Sequence, residues 1–474
     1  MRKRLPDIKS SFSDWYNEVI YQAELVDLSP VRGCMVVRPY GNALWENIKG
    51  RLDHRIKETG HENALFPLFI PQSFLTKEAE HVEGFSPELA VVTHAGGKQL
   101  EEPLVVRPTS ETMIHYMFAK WLTSWRDLPL KINQWANVVR WEMRPRPFLR
   151  TTEFFWQEGH TAHETLEEAQ EEVQIMLQEY FDLARDYLAI PVVKGKKSEG
   201  EKFPGADATY TIEGLMQDGK ALQMATSHAI SQNFAKAFEM TYQDREGKLA
   251  YPYLTSWGAA TRLVGAVVMV HGDEKGLVMP PKVAPLQVVI VPIVKKGADN
   301  DAVLQAADKI KDGLLASRIS VFVDADETKS PGAKFYKWEQ RGVPIRIEVG
   351  PRDVQNNQAM VVDRLGLDKK AVTLQDTTTY VVDQLELIQK TMFERAQKRL
   401  QTQWHQADKL ADFGKKMSKE GGFYQTGWCQ SEDCEKPLKE YQGTIRCLLE
   451  DKKHTHCFNC GKESVTDILV AKAY

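Results

Sequence analysis

The spacing of apolar residues predicts two amphipathic helices in the first half of the chain. Apolar side chains recur every four positions over 42–59 and line one face over 165–189, as in helices that pack against a core. Thr165 and Glu168 form a capping box at the start of the second helix. Between the two helices, the apolar run 64–70 predicts a strand.

The residue composition and the spacing of apolar residues differ between the other parts of the chain. Residues 103–161 and 203–272 are rich in Thr, Trp, Val and Phe, which predicts strands and turns. After prolines at 280–285, strands and helices alternate, which is typical of a small α/β domain. Residues 382–419 are predicted to be helical and precede a cysteine-rich tail. The alternating strand, helix, strand, helix and strand are expected over 286–294, 300–317, 319–324, 331–342 and 344–349.

Composition narrows the class of protein. The chain has 474 residues, with 61 Lys plus Arg against 65 Asp plus Glu, so its formal charge of −4 excludes a histone-like basic binder. The longest apolar runs are far shorter than the ~20 residues of a membrane span, and no apolar signal region follows the N-terminus. Five of the six cysteines follow residue 428, which fits a reduced, cytoplasmic compartment better than a disulfide framework.

The densest candidate chemistry lies between residues 135 and 161. Arg140 and Glu142 are two positions apart, which predicts that they share one face of a strand. Arg150, Phe154 and Glu158 then recur every four positions. Such residues offer a guanidinium fork for phosphate or carboxylate, an aromatic ring for a base and carboxylates for amines. The alternative is a strand face that is exposed to solvent and has no function in binding or catalysis.

Three motifs in chain order resemble those of class II aminoacyl-tRNA synthetases. The helix 42–59 with the strand after it resembles motif 1, the stretch from Arg140 to Glu158 resembles motif 2, and Thr255 to Arg262 resembles motif 3. More specific signatures resemble the prolyl-tRNA synthetase family, in the branch shared by archaea, eukaryotes and some bacteria. These signatures lie at 107–112, 156–163 and 225–228.

The resemblance implies a fold class and an organisation. It implies an α+β catalytic domain built on an antiparallel sheet, a small α/β anticodon-binding domain and an α+β zinc-containing C-terminal domain. We expect their boundaries at 1–283, 284–382 and 383–474. The resemblance also implies a cytoplasmic homodimer that binds tRNA(Pro), ATP and L-proline, with no membrane or DNA partner. The short stretch between motifs 2 and 3 predicts that this chain lacks an editing insertion.

The reaction implied by the resemblance is ATP-dependent attachment of proline to tRNA through prolyl-adenylate, with release of pyrophosphate and then AMP. Magnesium is implied as the ion that bridges the ATP phosphates. Arg140 and Arg262 are the implied catalytic residues. Residues implied for proline are Thr109, Glu111, Arg140, Trp156, Glu158, His160, Phe203, His228, Ser256 and Gly258. Residues implied for ATP are Arg140, Glu142, Arg150, Phe154, Gln223, Thr226, His228 and Arg262.

An excess of basic residues over 329–352 stands out against the acidic total. A solvated charged face would explain it, but the resemblance implies an anticodon-binding surface. On that interpretation Glu339 could accept hydrogen bonds from guanine N1 and N2, while Arg346 and Arg352 could donate hydrogen bonds to guanine O6 and N7.

The cysteine-rich tail contains two short chelating pairs, which is typical of a structural, all-thiolate zinc site. Cys447 lies between the pairs without a close partner and is left out. His454 or His456 could replace one ligand. The four predicted ligands are Cys429, Cys434, Cys457 and Cys460.

Two other interpretations stay open at this point. A catalytically silent, synthetase-like tRNA binder is expected to lack Arg140, Arg262, Thr109 or Glu111, all of which are present. A glycyl or threonyl relative would keep the chemistry, but the threonyl type needs a zinc ligand set in its pocket, where this chain has no cysteine. Taken singly, the pocket aromatics and histidines could also be ordinary core residues. Tyr474 is implied to reach back towards the active site, although terminal residues often fray.

Overall fold

A computed structural model describes residues 4–75, 89–294 and 300–474. The helices of the N-terminal part are α1 Phe12–Gln22, α2 Pro39–Glu58, α3 Glu111–Trp121, α4 Leu166–Asp182, α5 Asn233–Ala237 and α6 Arg262–His271. Its strands are β1 Val26–Leu28, β2 Met35–Val37, β3 Glu62–Asn63, β4 Phe69–Pro71, β5 Val91–Ala95, β6 Lys98–Val106, β7 Leu130–Val139, β8 Glu153–His163, β9 Val192–Lys196, β10 Ala208–Leu215, β11 Ala221–Ser231, β12 Tyr242–Gln243, β13 Leu249–Ala250 and β14 Tyr253–Ala260.

The middle part contains β15 Val288–Pro292, α7 Asp301–Ala316, β16 Val321–Val323, α8 Pro331–Gln340, β17 Ile345–Val349, α9 Pro351–Gln355, β18 Gln358–Asp363, β19 Lys369–Thr373 and α10 Thr377–Thr402. The C-terminal unit, residues 403–474, contains β20 Trp404–Gln406, α11 Leu410–Glu420, β21 Phe423–Trp428, α12 Glu432–Glu435, β22 Gly443–Leu449 and β23 Thr466–Lys472.

One large sheet organises the molecule. Among the described residues, eleven strands lie in the order β20-β21-β23-β22-β9-β10-β11-β14-β8-β7-β3. Every neighbouring pair from β9 to β7 is antiparallel, whereas β3 joins the edge in parallel with β7. Because side chains alternate along a strand, one face of the central strands can carry polar residues while the other packs on helices. The predicted antiparallel sheet is confirmed.

Helices α4 and α6 cover the apolar face of this sheet. Val173 and Leu177 on α4 are buried, and α6 buries every residue over 263–270. A helix that is apolar all round is stable only where protein surrounds it. Trp257 on β14 is also fully buried, and a side chain at Gly159 would overlap its indole ring. This tight packing holds the opposite, polar face in place.

The middle part is a separate five-stranded sheet in the order β16-β15-β17-β18-β19. The strand β15 is parallel to β16 and β17, while β18 and β19 continue in antiparallel fashion. Buried residues of α7 and α10 pack on this sheet in one apolar cluster. All five alternating elements predicted here are confirmed, each slightly shorter than predicted.

The strands of the C-terminal unit extend the large sheet. The strand β22 pairs with β9 at Leu448 and Lys196, so strand pairing joins the C-terminal unit to the sheet of the N-terminal part. It also has an apolar cluster of its own, in which Phe413 packs on Tyr424 and Phe458. The unit therefore combines its own core with an edge-to-edge junction.

Several predicted elements are wrong. Within 64–70 only the last two residues are in a strand, because Pro67 has no N–H to pair and the Phe66 N–H donates to the Gln134 side chain instead. The stretches predicted as strands and turns also contain α3 and α6, whose apolar composition resembles that of buried strands. The helix predicted over 382–419 is interrupted by β20, which pairs in parallel with β21.

Candidate active site

A pocket of about 350 Å³ opens on the polar face of the large sheet. Strands β8, β10, β11 and β14 supply most of its wall. The structure brings together here all ten residues predicted for proline and six of the eight predicted for ATP. The predicted residues that line it are Thr109, Glu111, Arg140, Phe154, Trp156, Glu158, His160, Phe203, Gln223, Thr226, His228, Ser256, Gly258 and Arg262.

Arg140 lies at the centre of the pocket. The prediction that it shares a strand face with Glu142 is wrong, because β7 ends at Val139 and a proline-containing loop follows. Its Nε donates to the Pro108 carbonyl at 2.9 Å, and its guanidinium lies 5.3 Å from the Trp156 ring centre. Burial lowers the pKa of Arg140 from its usual value, with opposing contributions from nearby carboxylates. The remaining guanidinium N–H groups can face an anion in the pocket.

Carboxylates and small hydroxyls form one end of the pocket. The Thr109 hydroxyl donates to Glu111, and both are buried. Glu158 accepts hydrogen bonds from the Ser110 hydroxyl at 2.5 Å and from Gln134 Nε2 at 2.9 Å. This end can accept hydrogen bonds from an ammonium group while the surrounding network keeps its geometry.

Glu158 and His160 form a buried ion pair at the same end, with His160 Nε2 3.3 Å from Glu158 Oε2. Burial alone would lower the pKa of His160, but the Glu158 and Glu111 charges outweigh it and raise the pKa above 6.5. Burial alone would raise the pKa of Glu158, but His160 and its other hydrogen-bond donors lower it below 4.5. Each group therefore favours the charged form of the other.

Among the predicted residues of the pocket, three buried polar atoms lack a hydrogen-bond partner within the described structure: Trp156 Nε1, His160 Nδ1 and Ser256 Oγ. Unsatisfied buried groups cost free energy, and such groups cluster where a ligand completes them. The rings of Trp156 and Phe203 add apolar walls beside them. A small ligand with both polar and apolar faces would fit this end.

The opposite end of the pocket is cationic. Arg262, the first residue of α6, donates through Nη1 to the Gln223 carbonyl at 3.2 Å. Burial, followed by repulsion from neighbouring arginines, lowers the pKa of Arg262 to about 10. His228 Nδ1 lies 2.9 Å from Thr209 Oγ1, and burial lowers the pKa of His228 to about 3, so this ring is neutral near pH 7. The arginines can neutralise a polyanion.

Two residues predicted for ATP lie outside the pocket lining. Glu142 accepts from the Arg144 N–H at 2.9 Å, and Arg150 lies on the exposed loop with its Nη1 3.9 Å from Glu142. Tyr474 packs near this loop, 5.8 Å from the Arg146 guanidinium, and its hydroxyl donates to Asp218 at 2.7 Å. The terminal residue is therefore held in place.

Sequence reasoning missed three supporting residues of the site. Ser110 and Gln134 hold Glu158, and Thr209 contacts His228. Alternation along β10 could have revealed Thr209, because it lies directly opposite His228 in the strand register. Gln134 on β7 lies opposite Glu158 on β8 in the same way, so alternation along β7 could have revealed it as well.

The predicted anticodon residues separate into two places. Glu339 and Arg346 line one cleft of about 240 Å³ in the middle part, whereas Arg352 lies on α9 outside it. Arg346 is engaged by Glu348 at 2.8 Å and lies 4.3 Å from the Phe335 ring centre. The cleft thus offers a carboxylate acceptor beside a guanidinium that lies over an aromatic ring.

The four predicted zinc ligands converge in the C-terminal unit. The sulfur atoms of Cys429, Cys434, Cys457 and Cys460 all lie within 4.8 Å of one another, and Cys429 is 3.6 Å and 3.7 Å from two of them. Zn–S bonds of about 2.3 Å in a tetrahedron would place sulfurs about 3.8 Å apart. The donor set and spacing fit zinc. Cys447 is buried elsewhere, against Gly195.

Family models match most of the chain. Residues 93–271 match the tRNA synthetase class II core domain (G, H, P, S and T), residues 287–384 match the anticodon binding domain, and residues 410–474 match the prolyl-tRNA synthetase C-terminal domain. No helix among the described residues has the length and apolar character needed to cross a membrane.

Curated relatives and solved structures are similar over their full length. Proline–tRNA ligase 2 of Clostridioides difficile is 51% identical, with 100% of this chain and 98% of that protein covered. Proline–tRNA ligase of Chlorobium chlorochromatii is 49% identical with both chains covered completely. The structure of prolyl-tRNA synthetase from Cryptosporidium parvum with L-proline and AMP is 39% identical, covers 99% of each chain and has a TM-score of 0.93. The chain belongs to the prolyl-tRNA synthetase family of class II aminoacyl-tRNA synthetases.

Proposed function

We propose that this chain is a proline–tRNA ligase, which activates L-proline with ATP in the described pocket and then transfers the prolyl group to tRNA(Pro). The observation that carries the proposal is one pocket with ammonium acceptors at one end, a central arginine and a cationic opposite end. The similarity to a synthetase solved with L-proline and AMP supports the same assignment.

Proline is proposed to bind at the carboxylate end. Its secondary ammonium has two N–H groups, and the oxygens of Thr109 and Glu111 can accept hydrogen bonds from them. Its ring would lie between Trp156, His160 and Phe203, with Ser256 and Gly258 beneath. Apolar walls exclude larger side chains but discriminate against one missing methylene by only ~1–3 kcal/mol. Alanine and cysteine are therefore the expected competitors.

ATP is proposed to bind at the cationic end. Phe154 would stack on adenine, Glu142 would accept from its amino group and Arg262 would neutralise the β- and γ-phosphates. Arg150 would reach the same phosphates when its loop closes over the nucleotide. The other proposed contacts are Gln223, Thr226 and His228.

The proposed reaction needs no side-chain nucleophile. An oxygen of the proline carboxylate bonds to the α-phosphorus while the bond to the β-phosphate oxygen breaks, which yields prolyl-adenylate and pyrophosphate. The 3′-hydroxyl of the tRNA then attacks the prolyl carbonyl, loses its proton and displaces AMP. Arg140 would hold the carboxylate and α-phosphate in line, so that positioning and charge neutralisation supply the catalysis.

Magnesium is proposed to enter with ATP. It commonly binds through substrate phosphates and only one or two carboxylates. Among the described residues, three carboxylates line the pocket, and Glu111 and Glu158 are engaged at the proline end, which leaves Glu201 as the remaining lining carboxylate. When bound, the ion would neutralise phosphate charge, and the steps above do not depend on its placement.

The test of this function is exchange of labelled pyrophosphate into ATP, surveyed over all twenty amino acids. Strong exchange is expected with proline, with weak exchange for alanine and cysteine. Exchange that depends on another amino acid would contradict the pocket assignment. A folded chain that supports no exchange would instead favour the silent tRNA binder.

Transfer RNA is proposed to contact the middle part through the cleft of Glu339 and Arg346, with Arg352 at a second contact. The absence of an editing insertion and the branch within the family stay predictions. We infer a cytoplasmic location from the proposed role in translation and from the unpaired cysteines.

A homodimer is proposed through the segment that resembles motif 1. Leu65, Phe69 and Trp121 are 87%, 45% and 43% exposed. Phe69 is in β4, and the Trp121 ring lies 6.0 Å from the ring of Phe66, the residue after Leu65. Such a concentration of exposed large apolar side chains is typical of an interface. The edge strand β3 lies in the same region of the chain.

Replacing Leu65 with glutamate is expected to raise the dimer dissociation constant by at least about tenfold, because a charge would be buried at the interface. Analytical ultracentrifugation over a dilution series measures the constant. Leu315→Glu is the matched control, since Leu315 is 50% exposed on α7 of the middle part, which packs on a different sheet. An L65E variant that dimerises like the wild type would contradict this interface.

The pair of Glu158 and His160 predicts a pH dependence. His160, with its raised pKa, contributes stability that is complete below 6.5 and is lost as pH rises through the raised value. Glu158, with its lowered pKa, contributes stability that is complete above 4.5 and is lost as pH falls through the lowered value. The full contribution is therefore expected between these two limits.

Glu158→Gln is expected to lower the pKa of His160, because burial then outweighs the remaining charge of Glu111. The variant should also lower the free energy of unfolding by about 1–3 kcal/mol. Histidine NMR titration measures the first effect and urea unfolding the second. A His160 that titrates unchanged would show that the pair is not coupled.

A further inference from the structure

A buried cluster of three charges joins the C-terminal unit to the sheet beside the pocket. Glu213 on β10 accepts from Lys197 Nζ at 2.8 Å, and from Arg446 on β22 through Nη2 at 3.0 Å and Nε at 3.1 Å. The side chains of Glu213, Lys197 and Arg446 are only 0%, 2% and 8% exposed. Thr211 donates a further hydrogen bond to Glu213 at 2.9 Å.

This cluster carries a surplus positive charge, since two cations surround one carboxylate. Burying such groups is costly, and apolar residues of similar volume often give equal stability. A stabilising role alone therefore explains the cluster poorly. Because buried charges are weakly screened, the surplus can act on neighbouring anions over a longer distance than a surface charge can.

The cluster is connected to the cationic end of the pocket through the hairpin β10–β11. Glu213 is paired with Gln223 in the strand register, and the Gln223 carbonyl accepts from Arg262. Electrostatics agree with this connection. Burial lowers the pKa of Arg262 most. The charge of Arg446 is among the arginine charges that lower this pKa further, whereas the charge of Glu213 raises it.

We propose that Arg446 is a positioning residue for ATP. Together with Lys197 it outweighs the charge of Glu213 and so adds positive charge behind Arg262, where the triphosphate would bind. The inference rests on the proposed adenylation. It assigns the C-terminal unit a direct share in ATP affinity, in addition to any role of its terminal residue.

The test compares full-length variants in proline-dependent pyrophosphate exchange. Arg446→Met and Lys197→Met each remove one cation and leave the cluster neutral. Each is expected to raise KM for ATP by about three- to thirtyfold, with KM for proline within about twofold of the wild type. Arg446→Lys keeps the charge and should lie closer to the wild type.

A double variant separates charge from simple damage. Arg446→Met combined with Glu213→Gln leaves Lys197 as the single charge, so it restores the surplus and should return KM for ATP towards the wild-type value. Lys472→Met is the control, because Lys472 is a cation of the same unit that donates to the Ser418 carbonyl instead. This control should leave KM for ATP unchanged.

The proposal is overturned if a folded Arg446→Met or Lys197→Met variant keeps the wild-type KM for ATP, or if the double variant is no better than Arg446→Met. An equal effect in Lys472→Met would also overturn it. If Arg446→Met does not fold, Lys197→Met decides the question by the same criterion. Absent exchange in the wild type would contradict the proposed function itself, whereas unchanged variants with active wild type contradict only this inference.

Discussion

Arg140→Ala is expected to lower kcat/KM for proline-dependent pyrophosphate exchange by about 10²–10³-fold, the loss seen when a preorganised donor to a developing charge is removed. The guanidinium is fixed by its bond to the Pro108 carbonyl and by the ring of Trp156. It would hold the two reacting anions together. Arg140→Lys should recover little of the loss, because an ammonium cannot form the planar fork.

The matched control for this prediction is Arg144→Ala. Arg144 is an exposed arginine on the same loop, and its contact with Glu142 uses the backbone N–H. The control is expected to stay within about twofold of the wild type, as is usual for surface substitutions. An Arg140→Ala variant that loses less than about tenfold in kcat/KM, against the 10²–10³-fold expected, would show that another group aligns the reactants.

Cys434→Ser is expected to abolish tight zinc binding and to unfold much of the C-terminal unit. Cys434 is buried in the apolar cluster of that unit as well as being a member of the four-thiolate group. A bound ion stabilises the folded state by about 4 kcal/mol when its free concentration is a thousand times the dissociation constant. Zinc content per chain and thermal unfolding measure the loss.

Cys447→Ala is the control for the zinc prediction. Cys447 is a buried cysteine of the same unit that lies outside the four-thiolate group. Its removal should leave zinc content unchanged. One zinc ion per chain retained by Cys434→Ser would contradict the assigned ligands, and His454 could then be the replacement. At present the His454 ring is engaged by Asp467 at 2.8 Å.

The middle part of the chain was the easiest to predict. Five of its nine described elements, from β15 to β17, follow from short-range alternation of apolar residues and were found close to their predicted limits. The N-terminal part was harder, because buried helices such as α6 are apolar on every face and lose the periodicity that distinguishes a helix from a strand.

The residues that line the pocket were mostly predicted through the resemblance to a known family, whose motif residues were carried over position by position. In β8, positions 154, 156, 158 and 160 alternate onto one face, as the sequence indicates. The strand β7 ends at Val139 instead of continuing through Glu142, so the loop begins earlier than predicted, and Glu142 and Arg150 lie outside the pocket lining. Loop geometry depends on contacts with the rest of the fold.

The amino-acid sequence by itself indicated the family and the pairs of cysteines, since these depend on residue types at short, fixed spacing. The resemblance to that family then implied most of the pocket residues. Only the tertiary structure decided that the C-terminal strands extend the large sheet and that Arg446 meets Glu213, 233 positions earlier in the chain. Such contacts arise from the packing of whole elements. Local periodicity carries no information about which distant elements will meet.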